Sequence, residues 1–339
     1  MKSLLFGLFA GTILAAGSAE ADGELHIFTW PEYMSPKLVE RFTQAHDVDV
    51  TVDAYTTHDE LLTAIRAGNA GYDIVVPNDW AVQTMIEEGL LAETKPNQMA
   101  NFKNVDPRWI DVFWDRGRNY SVPNHWGTIG LIVDKAAYAG ESDTLGLIFD
   151  PPAELQGRIG ILPDGSDIIN AALRYLDKPR CASDNEALAA LAGLLADAKR
   201  RWGSIMYGVD GMISGDVSIA YYWSPGALIV RREKPTVAYI LPREGFSSWM
   251  DNLVVLKDAP NLENARLFQN FMMDPEAAAL SSEYALAANG ILGSEAFLST
   301  DLASAPEMTL PPGMEPEFMP VCPREVREQY DAIWAEATK

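Results

Sequence analysis

The feature that most constrains the fold is a regular alternation of strand-like and helix-like segments in the first quarter of the chain. Each short apolar segment is followed by one with apolar residues at helical spacing. The predicted order is strand Leu25–Trp30, helix from Ser35, strand Val48–Tyr55, helix from Thr57, strand Tyr72–Pro77 and helix Trp80–Glu88. The third strand is almost continuously apolar, as in a sheet covered on both faces. This alternation predicts an α/β domain with a largely parallel sheet.

A second alternating series begins at Gly157. Predicted strands lie at 159–162, 217–223, 237–241 and 252–256, and predicted helices start at 167 or span 185–202, 262–272 and 324–336. Domains commonly hold ~100–200 residues. A chain of 339 residues therefore has room for two α/β domains.

The N-terminus carries the pattern of a secretory signal peptide. Lys2 supplies a positive charge, Leu4–Ala16 is apolar, and Ser18–Ala21 (S-A-E-A) resembles a cleavage site. We expect residues 1–21 to be removed and the mature protein to be free in the periplasm or outside the cell. No later run reaches the ~18 apolar residues that a membrane helix needs.

The charge of the chain restricts its partners. It has 26 basic and 48 acidic residues, a formal net charge of −22. This balance argues against nucleic-acid binding, which needs a cationic surface. It is consistent with a cationic partner, and equally with a generally acidic exported protein.

Motifs of common enzyme classes are absent from the sequence. There is no GxGxxG, GxxxxGK[ST], HExxH or GxSxG, and the four histidines are not paired at metal-ligand spacing. We therefore expect no catalysis, cofactor or metal site. The two cysteines, Cys181 and Cys322, could form a disulfide in an oxidising compartment, but their distance in sequence leaves this open.

Aromatic and acidic residues occur together where predicted strands end or begin. These stretches are Trp30-Pro31-Glu32-Tyr33, Asn78-Asp79-Trp80, Asp164-Gly165-Ser166-Asp167, Trp223-Ser224 and Trp249-Met250-Asp251. Ligands of open α/β sheets bind beside the carboxyl ends of strands. Aromatic rings attract cations, and carboxylates form charge-assisted hydrogen bonds with them. The pattern favours a site for an organic cation, although Asp164 could simply cap a helix and the tryptophans could belong to the core.

At these residues the sequence resembles the periplasmic spermidine/putrescine-binding proteins of ABC importers. The motifs that carry the resemblance are residues 26–33 (HIFTWPEY), 71–77 (GYDIVVP), 101–107 (NFKNVDP), 121–123 (SVP), 126–127 (WG) and 249–251 (WMD). They occur in the family's order and cover nearly the whole mature chain. The resemblance implies a two-lobed type II periplasmic-binding fold, with lobe 1 at 22–126 plus 252–292 and lobe 2 at 127–251 plus 293–339.

The resemblance also implies a ligand site between the lobes. Its expected residues are Trp30, Glu32, Tyr33, Asn78, Trp80, Asp164, Asp167, Trp223, Trp249, Asp251 and Glu317. Asp167 stands where the spermidine binders carry Glu, Asn78 and Trp80 replace a Ser and a Tyr, and a Tyr is missing near Ala287. These differences leave the choice of amine open. The implied protein is a monomer without cofactor that delivers a polyamine to an inner-membrane permease.

Two other functions remain open at this point. Ferric-ion binding proteins share the fold class and use adjacent tyrosines, and Tyr221-Tyr222 is such a pair. Strand alternation would point these two side chains in opposite directions. A secreted hydrolase could use a carboxylate pair such as Asp164 and Asp251. An absorbance scan tests the first alternative, and turnover tests the second.

Overall fold

The computed structural model describes residues 23–68, 71–203 and 208–339 and shows one large mixed sheet with helices around it. Its strands are β1 Gly23–Thr29, β2 Val48–Ala54, β3 Ile74–Val75, β4 Asp111–Val112, β5 Asp115–Arg116, β6 Ser121–Asp134, β7 Ile159–Ile161, β8 Ile219–Trp223, β9 Val237–Ile240, β10 Ser247–Val255 and β11 Ala288–Asn289. Its α-helices are α1 Pro36–His46, α2 His58–Arg66, α3 Asp79–Glu87, α4 Gly146–Phe149, α5 Gly165–Tyr175, α6 Asn185–Lys199, α7 Gly208–Ser214, α8 Ser224–Glu233, α9 Leu262–Met272, α10 Pro275–Ala285, α11 Thr300–Ala303 and α12 Arg324–Ala337. The predicted signal peptide lies outside the described residues.

The strand order combines parallel and antiparallel pairing. The main path runs β2-β1-β3-β10-β6-β8-β7, with β9 and β11 also paired to β6. Strands β1, β2 and β3 are parallel at one end of the path, and β7 and β8 are parallel at the other. Between them, β10 and β6 are antiparallel to their neighbours. The α/β fold class is confirmed, and β6 and β10 connect its two parallel parts.

The central strand β6 is long enough to link the two parts. It has 14 residues, all of them buried, and at ~3.3 Å per residue it spans about 46 Å. On one side of the path it pairs with β10, whose other neighbour is β3. On the other side it pairs with β8 and β9. Two of the segments that join the two parts are therefore continuous strands.

Two large hydrophobic cores lie on either side of this connection. The first contains Leu25, Phe42 and Phe268, and it packs β1–β3 against α1, α2 and α9. The second contains Ile161 and Leu191, and it packs β7 and β8 against α5, α6 and α12. Such separate cores are typical of two domains. Leu302 and Met308, on the segment before α12, pack in the first core; the lobe boundaries given above stay a prediction.

Local signals account for several helix starts. The Thr57 side chain accepts the Glu60 N–H at 3.1 Å, as the T-x-x-E pattern predicts. The Glu60 carboxylate returns to the N–H of Thr56 at 2.8 Å, one residue before the cap. Asp164 caps α5 by accepting the N–H groups of Ser166 and Asp167, so α5 begins at Gly165 rather than at Asp167.

The observed bounds of β10 and β3 differ from the predicted ones. β10 begins at Ser247, not Asn252, because its first residues pair with Gly127–Ile129 of β6. Trp249 and Asp251 therefore lie within a strand instead of before one. β3 is reduced to Ile74 and Val75, since only these residues pair with β1 and β10. Both differences depend on partners distant in sequence, which a local pattern does not reveal.

A disulfide joins Cys181 to Cys322, with a Cα–Cα distance of 5.5 Å. It links the loop between α5 and α6 to the segment before α12, across 141 residues of sequence. In the described ranges 23–68, 71–203 and 208–339, no helix is both long and apolar enough to cross a bilayer.

Candidate ligand-binding site

Asp251 lies at the centre of the candidate site, on the strand that runs between the two cores. The ladder of β10 with β6 shifts register between Met250 and Asn252. Such a bulge re-aims a side chain. Asp251 forms an isolated bridge with Asn78, which caps α3. Its carboxylate accepts a hydrogen bond from the Tyr33 hydroxyl, with Oη to Oδ2 at 2.7 Å. Residues after β1, after β3 and within β10 thus meet at one point.

The Asp251 carboxylate is buried without a cationic neighbour. Asp251 is 4% exposed. Among the residues that the structure describes, no basic side chain lies within 4.0 Å of its carboxylate as an ion-pair partner. Burial raises the pKa of Asp251 to about 7, while the Tyr33 hydroxyl and the Trp30 indole act in the opposite direction. Burial and Asp251 together hold the pKa of Tyr33 well above its ordinary value. Tyr33 therefore keeps its proton and remains a donor.

Asp79, the first residue of α3, is a second buried acid beside Asp251. It is also 4% exposed. Burial raises the pKa of Asp79 to about 8, and the charge of Asp251 adds to the effect. We call Asp79 and Asp251 the buried acid pair. Two buried carboxyl groups without a cationic partner favour the binding of a cation that neutralises both.

Aromatic rings stand beside the buried acid pair on the side of the first core. The Trp30 ring centroid lies 4.5 Å from that of Tyr55 and 4.8 Å from that of His58. The His58 ring in turn lies 4.8 Å from that of Trp80. Burial lowers the pKa of His58 to about 3, so His58 is neutral and its Nε2 accepts the Asn78 N–H at 3.3 Å. His58 thereby positions both tryptophans and the start of α3.

Two further tryptophans approach from the side of the second core. Trp249 packs directly on Gly127, where an added Cβ would lie 2.6 Å from Cζ2 of the Trp249 ring and 2.5 Å from Ser224 Oγ. Trp223 ends β8 and precedes α8. Its side chain lies near the Asp167 carboxylate and lowers the pKa of that group. The absence of a side chain at Gly127 is what admits the Trp249 ring.

Asp164 and Asp167 form the acidic edge of the second core, at the N-terminus of α5. The Asp164 carboxylate accepts the N–H groups of Ser166 at 2.8 Å and Asp167 at 3.2 Å. Burial, and then the charge of Asp164, raise the pKa of Asp167 well above its ordinary value. Burial also raises the pKa of Asp164, although the residue as a whole is exposed. Asp79 contributes to the shift at Asp167, so acids of the two cores lie within electrostatic reach of each other.

Two of the predicted residues are not brought into this cluster. Glu32 is exposed and has a left-handed backbone conformation, with φ at 59°. The Glu317 carboxylate pairs with Arg174, with Oε2 to Nη1 at 2.7 Å, and its backbone bonds to Ser248. Ala287, near which the family's Tyr is missing, is buried, with 1% exposure. Ligand contact by Glu32 and Glu317 stays a prediction.

Sequence reasoning missed three residues of the site. Asp79 lies inside the stretch Asn78–Trp80 that the pairing of acids with aromatics had already indicated, so that criterion could have selected it. His58 entered the sequence analysis only as one of four histidines that are not paired at metal-ligand spacing. Arg180, in the loop between α5 and α6, acts electrostatically on both Asp79 and Asp167. No local pattern pointed to Arg180, because its position depends on the tertiary fold.

The tyrosine pair considered for iron does not converge. Tyr221 is 1% exposed and packs in the second core, whereas Tyr222 packs against the glycines Gly208 and Gly226. The two phenols therefore point to opposite faces of β8, as strand alternation predicts. Within the described parts of the chain, His, Cys, Asp and Glu side chains do not group into threes that could hold a metal ion.

Comparison with known proteins places the chain among bacterial binding proteins. The family model for bacterial extracellular solute-binding proteins matches residues 37–309. A putrescine-binding periplasmic protein of Pseudomonas aeruginosa is 28% identical over 325 residues, covering 90% of this chain and 88% of its own. The spermidine/putrescine-binding periplasmic protein of Escherichia coli is 26% identical over 305 residues, covering 89% and 87%.

Solved structures agree with this placement. The structure of a putative spermidine/putrescine ABC transporter from Listeria monocytogenes superposes with a TM-score of 0.84 and 27% identity, covering 93% of this chain and 98% of its own. A substrate-binding protein from Streptococcus pneumoniae shares the fold with a TM-score of 0.81 at 21% identity, covering 94% and 99%. The chain belongs to the bacterial extracellular solute-binding protein family and has the two-lobed α/β fold of periplasmic binding proteins.

Proposed function

We propose that this protein captures a polyamine of the putrescine/spermidine class and delivers it to an ABC importer. The observation that carries the proposal is the buried, unpaired carboxylate of Asp251 with Tyr33 and Trp30 against it. A buried carboxylate without a counter-ion is costly, and an ammonium group would remove that cost. Proteins that are similar to this chain over most of its length are named for binding putrescine, cadaverine or spermidine.

The two ends of a polyamine would bind at opposite sides of the site. One ammonium group would pair with Asp251, and another with Asp164 and Asp167 at α5. The rings of Trp30, Tyr33, Trp223 and Trp249 would enclose the methylene chain, with Asn78, Trp80, Glu32 and Glu317 as further contacts. Cation–π contacts of ~0.5–2 kcal/mol each would add to the charge-assisted hydrogen bonds.

Closure of two lobes about the ligand would follow from the architecture. We propose lobes at 22–126 plus 252–292 and at 127–251 plus 293–339, with β6 and β10 crossing between them. The closed form would dock as a monomer on an inner-membrane permease after export of the mature chain to the periplasm. The family consists of solute-binding transport proteins, and in this function the ligand is released unchanged, without a cofactor.

Isothermal titration calorimetry of the mature chain tests the proposal. The ligands are putrescine, cadaverine, agmatine, spermidine and spermine, at low and at physiological salt. The variant Asp251→Asn removes the central charge, and Asp49→Asn removes an exposed charge on β2 as its matched control. We expect saturable binding of at least one amine, at least tenfold weaker in Asp251→Asn (about 1.4 kcal/mol) and unchanged in Asp49→Asn.

Three results would contradict the proposal. Absence of binding to every amine would remove the polyamine assignment. A visible absorbance band on addition of ferric iron would indicate a tyrosinate–iron site instead. Turnover of a glycoside substrate that is lost in Asp164→Asn and Asp251→Asn would indicate a secreted hydrolase that uses these two carboxylates.

A further inference from the structure

Arg118 is a fully buried arginine whose side chain reaches the strand that carries Asp251. It lies between β5 and β6, and its exposed fraction is 0%. Its Nη1 atom donates to Asn252 Oδ1 at 2.6 Å, and its Nη2 atom donates to Met250 Sδ at 3.2 Å. Met250 and Asn252 are the two neighbours of Asp251 in the chain. One guanidinium group therefore holds the residues on both sides of the central carboxylate.

These contacts are made where β10 is irregular. The pairing of β10 with β6 shifts register between Met250 and Asn252, so Asp251 lies at the irregularity. The Asn252 side chain spans it, because its Nδ2 atom donates to the carbonyl oxygen of Met250 at 2.8 Å. The other end of the same amide, Oδ1, is the atom that accepts from Arg118. The guanidinium thus orients the amide group that closes the bulge around Asp251.

The arrangement directs the Asp251 side chain away from Arg118. Alternate residues of a strand point to the same face, and the side chains of Met250 and Asn252 both contact the guanidinium. Asp251, between them, faces the other side, where its Oδ2 atom accepts the Tyr33 hydroxyl at 2.7 Å. The influence of Arg118 on the carboxylate therefore passes through the two neighbouring residues and not through a direct charge contact.

A local network fixes the guanidinium itself. Its Nε atom donates to the carbonyl oxygen of Trp109, and Nη1 also donates to Ser121 Oγ at 2.9 Å. The Ser121 hydroxyl donates in turn to Asp115 Oδ2 at 2.8 Å. The Trp114 ring lies 5.3 Å from Cζ of Arg118. Each of the three nitrogens of the guanidinium has a partner, so the planar group is held in one orientation.

Packing alone does not account for a charge at this position. The acceptors of the Arg118 N–H groups are uncharged, and in the part of the chain that the structure describes Arg118 has no acidic ion-pair partner. Burial lowers the pKa of Arg118 to about 9, while Asp115 acts in the opposite direction, so the group is charged at neutral pH. An apolar side chain of similar volume would fill this place at lower cost. It would not hold Met250 and Asn252.

We propose that Arg118 is a positioning residue for ligand binding, which fixes Met250 and Asn252 so that the Asp251 carboxylate is held in the candidate site. This inference rests on the polyamine-binding function proposed above. The planar fork of the guanidinium is the feature that acts, because two of its nitrogens hold two different residues at once. Without the fork, the bulge would relax and the carboxylate would lose its aim at the ammonium group of the ligand.

Calorimetric titration with putrescine and with spermidine tests this inference in four variants. Arg118→Met removes the donors, Arg118→Lys keeps the charge without the fork, and Asn252→Ala removes the acceptor. Leu38→Ala is the control, because Leu38 is buried in the same core but lies on α1, outside β10, and its truncation destabilises the fold. Each change is also made in the Asp251→Asn protein, and thermal unfolding verifies that each variant folds.

We expect the two Arg118 variants and Asn252→Ala to bind the preferred amine roughly ten- to one-hundredfold more weakly, the worth of a hydrogen bond to a charged group. Leu38→Ala should unfold at a lower temperature but keep its affinity within about twofold. In the Asp251→Asn background, the Arg118 and Asn252 changes should alter affinity by less than about threefold. The carboxylate that they position is then already absent.

A measurement without ligand tests the same coupling. At pH 8, Asp251→Asn should raise the unfolding temperature of the mature chain, because the fold holds the ionised carboxylate in a desolvated position. In Arg118→Lys and Asn252→Ala the carboxylate can turn toward water, so the rise should be clearly smaller. In Leu38→Ala the full rise should remain. Absence of the rise in the mature chain would show that Asp251 is not held there and would overturn the inference.

Other outcomes would also overturn it. These are unchanged affinity in Arg118→Met and Asn252→Ala, full affinity in Arg118→Lys, or an equal loss of affinity with and without the Asp251 carboxylate. Each of them would leave polyamine binding intact. Failure of the mature chain to bind any amine would instead refute the polyamine function, and the coupling measured without ligand would still decide whether Arg118 positions Asp251.

Discussion

Replacement of Asp251 by Asn should stabilise the ligand-free protein while it removes ligand binding. The folded state holds the pKa of Asp251 at about 7, compared with an ordinary value of 3.8. The unfolded chain ionises this carboxyl near 3.8, whereas the folded protein keeps it protonated until about 7. Stability from this group is therefore fully present below about pH 4 and is lost as the pH rises to 7.

The size of the effect follows from the difference between the two pKa values. At 1.36 kcal/mol per pKa unit, it corresponds to roughly 4 kcal/mol of stability lost between pH 4 and pH 8. The Asn side chain keeps an oxygen that can accept a hydrogen bond from the Tyr33 hydroxyl. It carries no charge, so its burial has no charge-desolvation cost. The variant should thus be as stable as the unchanged protein at pH 4 and more stable by up to about 4 kcal/mol at pH 8.

Thermal unfolding at pH 4 and pH 8, without ligand, measures this difference. At about 2–4 °C per kcal/mol for a domain of this size, the unfolding temperature of Asp251→Asn should exceed that of the unchanged protein by several degrees at pH 8 only. The exposed-site variant Asp49→Asn should show no difference at either pH. Equal unfolding temperatures of Asp251→Asn and the unchanged protein at pH 8 would refute the argument that Asp251 is desolvated and unpaired.

Four further predictions concern the candidate site and the stability of the fold. Gly127→Ala should destabilise the fold by about 1–3 kcal/mol and weaken amine binding, because its Cβ would displace the Trp249 ring. Gly193→Ala has open space around its Cβ and should instead stabilise α6 by about 0.5–1 kcal/mol. Chemical denaturation measures both changes. Replacing Cys181 and Cys322 together by Ser should cost about 3–5 kcal/mol, measured as a shift of the denaturation midpoint; an unchanged midpoint would contradict it. Amine affinity should rise from pH 6 to pH 8 as the buried acid pair ionises, and binding should release protons. Titrations in two buffers of different ionisation enthalpy detect this release. Equal binding heats in the two buffers would contradict the prediction.

Local sequence signals predicted those parts of the fold that depend on neighbouring residues. The helix α2 starts at the predicted cap because Thr57 and Glu60 form a short-range hydrogen bond. The helix α9 was predicted at its observed bounds, Leu262–Met272. The positions of β3 and β10 were less well predicted, because β6 and β1 decide where these strands begin and end.

The candidate site shows the same division. Residues that follow a strand and belong to a local motif, such as Trp30 and Tyr33, could be selected from the sequence. Asp79 belongs to the indicated stretch Asn78–Trp80 but was passed over as an ordinary helix-start acid, because its burial is visible only in the fold. The position of Arg180 could not be predicted, because the disulfide beside it and its contact with Pro320 are made with residues distant in sequence.

A crystal structure of the mature protein with putrescine would show directly where the ligand binds. We expect one ammonium group within hydrogen-bond distance of Asp251 and the other at Asp164 and Asp167. The methylene chain should lie against the rings of Trp30 and Trp249. Putrescine bound elsewhere, or bound here with no ammonium group at Asp251, would contradict the proposed ligand-binding site.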